Sequence, residues 1–82
     1  MKTDDLIAYL ARVGVPNHAF SIYGDRDEAY CVERVGGEWM IYYSERGKKN
    51  QLGWAKSEEQ AMDLLKLFVL EGYGKWVPRG QS

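Results

Sequence analysis

The side chains that most often perform catalysis or bind transition metals are few in this sequence. There is one histidine, His18, and one cysteine, Cys31. A histidine that acts as a general base needs a nucleophile or an orienting carboxylate nearby, and nothing in the sequence around the Pro-Asn-His loop supplies one. A reactive thiol needs an electropositive setting, whereas the predicted strand neighbours of Cys31 include Glu33 and Tyr42. We therefore predict no catalytic residues, no metal site and no cofactor.

A polar turn after the first predicted strand gathers three carboxylates, at Asp25, Asp27 and Glu28. An EF-hand loop spreads its calcium ligands over about twelve residues, with a glycine at the sixth position and a closing glutamate. This turn has neither the spacing nor the glycine, and Arg26 stands within it. We interpret it as a solvated turn, or as an acidic rim that meets a basic partner.

Two glycine-containing segments, 36–37 and 47–48, lack the spacing of a phosphate-binding loop and do not open a helix. Each lies between strand-like runs, where glycine suits a tight turn. Arg46, Lys48 and Lys49 make the second of these turns basic. A basic turn can contact a phosphate or an acidic protein, and a solvated hairpin tip is the simpler interpretation.

Composition and charge indicate one ordinary globular domain. The 82 residues carry 11 Lys and Arg against 12 Asp and Glu, a balance that argues against non-specific nucleic-acid binding. The acidic start has no signal-peptide pattern, and no apolar stretch is long enough to cross a bilayer. We predict a cytoplasmic protein that binds no membrane and no small-molecule substrate. Its single domain is predicted over residues 1–74, with a C-terminal tail over 75–82.

One amphipathic helix is predicted at each end of the domain. Apolar residues at helical spacing predict a helix over residues 4–13, with Thr3 as its N-cap. A capping box at residues 57–60 predicts a second helix over 58–71. Gly72 is then the expected C-terminal stop, because glycine readily adopts the left-handed conformation found there.

Four strands are predicted between the helices, and they are expected to form one antiparallel sheet. The fold class is therefore α+β, with both helices packed on one sheet face. A turn at Gly36-Gly37 pairs Arg34 with Trp39, Val32 with Ile41 and Tyr30 with Tyr43. A second turn over 47–50 pairs Tyr43 with Trp54 and Glu45 with Leu52. The expected core contains Val32, Ile41, Tyr43, Trp54, Leu64, Leu65 and Phe68.

The other sheet face is expected to be open to water, since two helices cover only one side. It carries Cys31, Glu33, Glu38, Met40 and Tyr42. Tyr and Met are enriched at the centres of protein interfaces, with charged residues around them. A second core layer and an ordinary hydrated sheet face remain alternatives. The predicted partner-binding residues are Asp25, Asp27, Glu33, Glu38, Met40 and Tyr42.

Three segments, 28–32, 39–47 and 57–61, make the chain similar to the small immunity proteins of bacterial polymorphic-toxin and contact-dependent inhibition systems. They hold a pattern of aromatic residues, a Ser-Glu-Arg-Gly turn and the start of the last helix. The resemblance implies a short helix–sheet–helix protein that binds one cognate toxin domain, often a nuclease, and blocks it. It implies no particular contact residues.

The hypothesis from the sequence is thus an immunity protein that neutralises a toxin domain by occlusion and performs no reaction. The alternative is a small regulatory or nucleic-acid-binding module that uses the basic turn at Arg46, Lys48 and Lys49. The sequence has no further cluster of basic residues to extend such a surface.

Overall fold

The structure is a computed structural model that describes residues 1–22 and 24–76, with residues 73–76 described by their backbone alone. Two helices enclose four strands in sequence, so the predicted α+β class is confirmed. The elements are α1 (Thr3–Arg12), a short 3-10 helix (Asn17–Ala19), β1 (Phe20–Ser21), β2 (Ala29–Val35), β3 (Glu38–Glu45), β4 (Lys48–Ala55) and α2 (Glu58–Trp76).

Helix α1 buries Leu6 and Leu10 and begins one residue before the predicted start. The predicted N-cap is wrong. Lys2 occupies the cap position without a side-chain hydrogen bond. Thr3 is the first helical residue, and its hydroxyl donates instead to a carboxylate oxygen of Glu58 at 3.3 Å. The threonine therefore joins the starts of the two helices rather than capping its own.

Helix α2 begins as predicted and ends later than predicted. The Ser57 hydroxyl accepts the backbone N–H of Gln60 at 3.1 Å, and the Gln60 side chain accepts the N–H of Lys56 at 2.9 Å. The helix continues through Gly72 to Trp76. A Cβ at residue 72 would collide with the Tyr30 hydroxyl, so this glycine permits close packing and does not end the helix. The predicted tail begins within α2, and residues 77–82 lie outside the described residues.

The sheet is mixed rather than wholly antiparallel. Its strands run in the order β1-β2-β3-β4, and β1 lies parallel to β2 through the pairs Phe20 with Tyr30 and Ser21 with Cys31. In this parallel pair, β2 starts beside the start of β1. A tight turn would have made this pair antiparallel.

The first hairpin has the predicted register, and the second does not. Arg34 lies opposite Trp39 as expected. In the second hairpin the turn is Arg46-Gly47, with positive φ angles of 52° and 82° at the two residues. Such angles suit a two-residue hairpin turn. Tyr43 therefore pairs with Asn50 instead of Trp54.

A β-bulge then changes which residues of β4 face the helices. The register shifts between Ile41 and Tyr42, which pair with Gly53 and Gln51, so Leu52 is the extra residue. Side chains alternate along a strand, and one extra residue reverses that alternation. Beyond the bulge, Trp54 consequently lies on the sheet face away from the helices.

The main core lies between the helices and the sheet. Val32, Ile41 and Leu65 are fully buried there, as predicted, together with residues of both helices. Tyr43, Leu64 and Phe68 are half-buried. The prediction for Trp54 is wrong, since its side chain is 43% exposed. Among the described side chains of the helices, the fully buried core residues are Leu6, Leu10, Ala61, Met62, Leu65 and Val69.

Candidate partner-binding site

The sheet face that points away from the helices, called the second face below, divides into two halves. One half is sealed by the chain itself and forms a small second core of Ala29, Cys31 and Tyr42, with Met40 at its border. The first three are fully buried. The remaining half lies toward the Gly36-Gly37 turn and is exposed. The two are called the closed half and the open half.

Lys49 and Glu33 cover the ring of Tyr42 in the closed half. The Lys49 ammonium lies 5.2 Å from the centre of that ring and 3.0 Å from a carboxylate oxygen of Glu33. The Tyr42 hydroxyl donates to the same oxygen at 3.0 Å. Lys49 thus reaches from β4 across β3 to β2, and its side chain forms part of the lid over the tyrosine.

This network shifts the acidities of its members. The hydrogen bonds from Lys49 and Tyr42 lower the pKa of the Glu33 carboxyl, because both stabilise the ionised form. Burial raises the pKa of Tyr42, and the adjacent Glu33 raises it further. Glu33 is therefore a carboxylate at neutral pH, and Tyr42 is a neutral hydrogen-bond donor.

The loop over residues 24–28 seals the other side of the closed half. The Ser21 hydroxyl donates to the carbonyl of Gly24 at 2.7 Å and turns the chain away from β1. The Cys31 thiol lies 3.6 Å from the carbonyl of Arg26, which places the loop above the second core. A carboxylate oxygen of Asp27 accepts the backbone N–H of Arg46 at 2.7 Å. The loop is therefore held to the β3–β4 turn.

Cys31 and His18, the two candidates for nucleophilic or acid–base chemistry, are not brought together with a partner group. Burial raises the pKa of the Cys31 thiol, which keeps it protonated at neutral pH. His18 lies exposed in the 3-10 helix. Within residues 1–22 and 24–76, no group of three or more His, Cys, Asp or Glu side chains could hold a metal ion.

The open half is formed by Val35, Glu38, Met40 and Trp54. Val35 pairs with Glu38, and Met40 pairs with Trp54, so the four side chains lie on the same face, with β3 between Val35 and Trp54. Val35 is 42% exposed and Trp54 is 43% exposed, whereas Met40 is buried beneath them. The Trp54 indole N–H donates to the side chain of Gln51 at 3.3 Å. The result is an exposed aromatic and aliphatic surface with a carboxylate beside it.

Sequence reasoning missed Trp54 because it placed this residue in the main core. One signal could have corrected the error: Gly53 interrupts an otherwise strand-like run, and an isolated glycine in a strand often marks a bulge. A bulge before residue 54 reverses the face on which the tryptophan lies.

The six predicted partner-binding residues do not form one exposed surface. Tyr42 and Met40 are buried, so the expectation that the whole second face is open is wrong for them. The alternative of a second core layer describes the closed half. Glu33 is half-buried within its network, while Glu38 lies at the open half. Asp25 and Asp27 are exposed on the covering loop. Whether any of these residues contacts a partner stays a prediction.

The basic turn is also partly engaged within the chain. The Lys49 ammonium is paired with Glu33, and the Arg46 backbone is bound by Asp27. Lys48 is exposed at the start of β4. The three residues therefore offer a smaller free basic surface than the sequence suggested.

Compared with models of protein families, with curated proteins and with solved structures, the chain shows no significant match. No helix in the described part of the chain is both long enough and apolar enough to span a membrane.

Proposed function

We propose that this chain is a protein-binding domain that inactivates its partner by occlusion, as a small bacterial immunity protein does with its toxin domain. The resemblance of segments 28–32, 39–47 and 57–61 to immunity proteins supports the biological role. In this proposal the protein acts in the cytoplasm, and the partner is a cognate toxin domain. The structure supports the proposal through the composition of one exposed surface.

The observation that carries the proposal is the exposure of Trp54. A tryptophan in water costs free energy, because its large apolar surface remains hydrated. Binding hot spots are enriched in Trp, which supplies a large contact area and a hydrogen-bond donor. The β-bulge of β4 directs this side chain outward on the face that also carries exposed Val35, across β3. The open half therefore has the apolar centre and charged edge that protein interfaces share.

Occlusion requires a surface that is already formed before the partner arrives, because ordering a surface on binding reduces affinity. The closed half meets this requirement by fixing the strands beneath the open half. Glu33 pairs with Met40 in the sheet and is itself held by Lys49 and Tyr42. The open half thus lies on a sheet whose neighbouring side chains are locked by hydrogen bonds.

The proposal is tested by co-expressing the chain with the C-terminal domain of the protein encoded immediately upstream, which the proposal expects to be the toxin domain, and scoring the survival of the cells. Trp54→Ala is expected to lose protection, because removing a central aromatic anchor costs about 2 kcal/mol or more of binding free energy. Leu67→Ala is the matched control, since Leu67 is 57% exposed on α2, on the opposite side of the molecule. It is expected to protect like the wild type.

The proposal fails if the wild-type chain gives no protection against that domain and forms no complex with it. If protection is lost in Leu67→Ala and kept in Trp54→Ala, the chain is an inhibitor whose binding surface is α2, and the assignment of the open half is wrong.

A further inference from the structure

We infer that a second copy of this chain covers the open half of the free protein, in a two-fold contact between the two second faces. Each Trp54 then packs against the second copy's Met40, and each Glu38 pairs with the second copy's Lys56. This inference goes beyond the proposed function, because it concerns the protein in the absence of a toxin domain. Three features carry it: the charges of the face, the arrangement of its side chains in two rows, and the exposure of Trp54.

Glu38 and Lys56 have opposite charges and lie across from each other at one end of the open half. Trp39 pairs with Ala55, so Glu38 and Lys56 are the next residues outward on β3 and just past β4. Ala55 belongs to the main core, and alternation along the chain therefore places Lys56 on the second face beside Trp54. Both charged residues are exposed, and neither forms an ion pair with a residue that the structure describes.

The two charged groups at the other end of the open half are already paired. The Lys49 ammonium lies 3.0 Å from a carboxylate oxygen of Glu33. A partner that carries charge of one sign only would therefore satisfy either Glu38 or Lys56 and would be repelled by the other. The face favours a partner that presents a carboxylate and an ammonium group at the same spacing, and a second copy of the chain presents both.

The side chains of the open half form two rows that complement each other. The β3 row holds Glu38 and Met40, and the β4 row holds Lys56 and Trp54 opposite them. A two-fold axis that runs along the strands, between β3 and β4, lays the β3 row of one copy over the β4 row of the other. Each carboxylate then meets an ammonium group, and each methionine meets an indole.

This arrangement agrees with the way in which sheets and symmetric dimers pack. A two-fold contact uses the same patch on both subunits, so each of these pairs forms twice. Sheets that pack face to face keep their strand directions within about 30° of each other, and an axis along the strands satisfies this condition.

The contact covers the exposed ring of Trp54. This residue is 43% exposed in the single chain, and its apolar surface is stabilised when it leaves water. The thioether of the second copy's Met40 suits an aromatic ring, because sulfur makes favourable contacts with such rings. Stable interfaces use about 20–30 residues a side, and this patch is smaller, so we expect a reversible dimer with a Kd between micromolar and millimolar.

The test measures association of the full chain by sedimentation equilibrium, from micromolar to millimolar concentration. The wild type is expected to change from monomer to dimer and to form nothing larger, because a two-fold contact closes on itself. Trp54→Ala is expected to weaken the dimer at least about tenfold, as loss of a central aromatic anchor does. Leu67→Ala, which changes an exposed residue of α2, is expected to dimerise like the wild type.

Three results would overturn the inference at this stage. They are a wild type that stays monomeric at millimolar concentration, association into open-ended oligomers, and a Trp54→Ala dimer of unchanged affinity. If Leu67→Ala loses the dimer while Trp54→Ala keeps it, the two copies meet through α2 instead.

Two charge reversals test whether the contact is two-fold. Glu38→Lys gives a surface with two ammonium groups, and Lys56→Glu gives one with two carboxylates. Each variant alone is expected to dimerise at least about tenfold more weakly than the wild type, because like charges then face each other. In an equal mixture of the two variants, every lysine faces a glutamate, and a heterodimer at least as tight as the wild-type dimer is expected.

Glu45→Lys and Lys48→Glu form the matched control pair. These residues pair with each other at the other end of the same hairpin, so the variants make the same changes in net charge away from the open half. Each is expected to dimerise like the wild type, and their mixture is expected to show no preference for the heterodimer. Thermal melting checks that every variant is folded. The assigned contact is wrong if the first mixture associates no better than its components, or if the control mixture gains as much.

These outcomes are distinct from failure of the proposed function. If the wild type stays monomeric while Trp54→Ala loses protection against the toxin domain, the open half binds the toxin domain and only the dimer is wrong. If the wild type dimerises as expected but neither binds that domain nor protects against it, the dimer stands and the immunity role falls.

Discussion

Glu33 shows how one side chain connects the closed half to the open half. Its carboxylate accepts hydrogen bonds from Tyr42 and Lys49, each at 3.0 Å, and these bonds lower its pKa. They also keep the tyrosine hydroxyl from being buried without a partner, which is costly. Glu33 is thus a structural residue of the closed half at the edge of the surface proposed to bind.

The lowered pKa of Glu33 predicts how stability depends on pH. A carboxyl whose pKa is lower in the folded state stabilises the fold above its unfolded value, which is ordinarily 4.5. That contribution is lost as the pH falls below 4.5 through the folded pKa. Melting curves between neutral and acid pH should show a smaller acid-induced fall in Tm for Glu33→Gln than for the wild type. Parallel curves would mean that the network does not exist in solution.

Ser44 gives a second prediction for a single residue. Its hydroxyl is the one buried side-chain polar atom in the described part of the chain without a hydrogen-bond partner. Burying such a group costs about 1–3 kcal/mol, so Ser44→Ala should leave the stability unchanged or raise it by about 1 kcal/mol. Chemical denaturation measures the difference, and Ser57→Ala serves as the control because it removes a hydroxyl that is bonded. A loss of stability in Ser44→Ala as large as that in Ser57→Ala would contradict this account.

At the scale of elements, turn residues predicted the hairpin register correctly where only one turn position was possible. Gly36-Gly37 allows one two-residue turn, and the register predicted from that turn is the one observed between β2 and β3. The segment after Glu45 contains several polar residues able to form a turn, and the sequence-based choice of 47–50 was wrong. The parallel direction of β1 relative to β2 has no signal in the sequence.

Gly72 shows a tertiary contact prevailing over a local preference. Glycine is a good helix stop, yet α2 passes through it because the Tyr30 hydroxyl packs where a side chain would lie. Gly72→Ala should therefore destabilise the wild type by about 1–3 kcal/mol, the usual cost of overpacking. In a Tyr30→Ala background it should instead stabilise by up to about 1 kcal/mol, through the better helix propensity of alanine. A double-mutant cycle of unfolding free energies checks this, and equal effects in both backgrounds would exclude the contact.

At the scale of the molecule, the sheet has a helix-covered face and a second face that is only half covered. Composition and periodicity predicted the first face and most of its core. The division of the second face arises from contacts between distant residues, such as Lys49 with Glu33 and Asp27 with Arg46. Such contacts depend on register, so they could not be predicted before the register was known. The bulge that exposes Trp54 is different, because Gly53 within a strand-like run was a local signal for it.

The central claim is that the closed half holds the fold together while the open half binds the partner. It is tested most directly by measuring two quantities, Tm and the Kd for the toxin domain proposed as the partner, in Trp54→Ala and Tyr42→Ala. Trp54→Ala should keep the wild-type Tm within a few degrees and raise Kd by about thirtyfold, the equivalent of about 2 kcal/mol.

Tyr42→Ala should lower Tm by many degrees, because truncating a fully buried aromatic costs about 3–5 kcal/mol. Any chain that still folds should bind the toxin domain within a few-fold of the wild type. The account is contradicted if the two variants exchange roles, so that Trp54→Ala unfolds the domain with Kd unchanged while Tyr42→Ala keeps the wild-type Tm and loses binding.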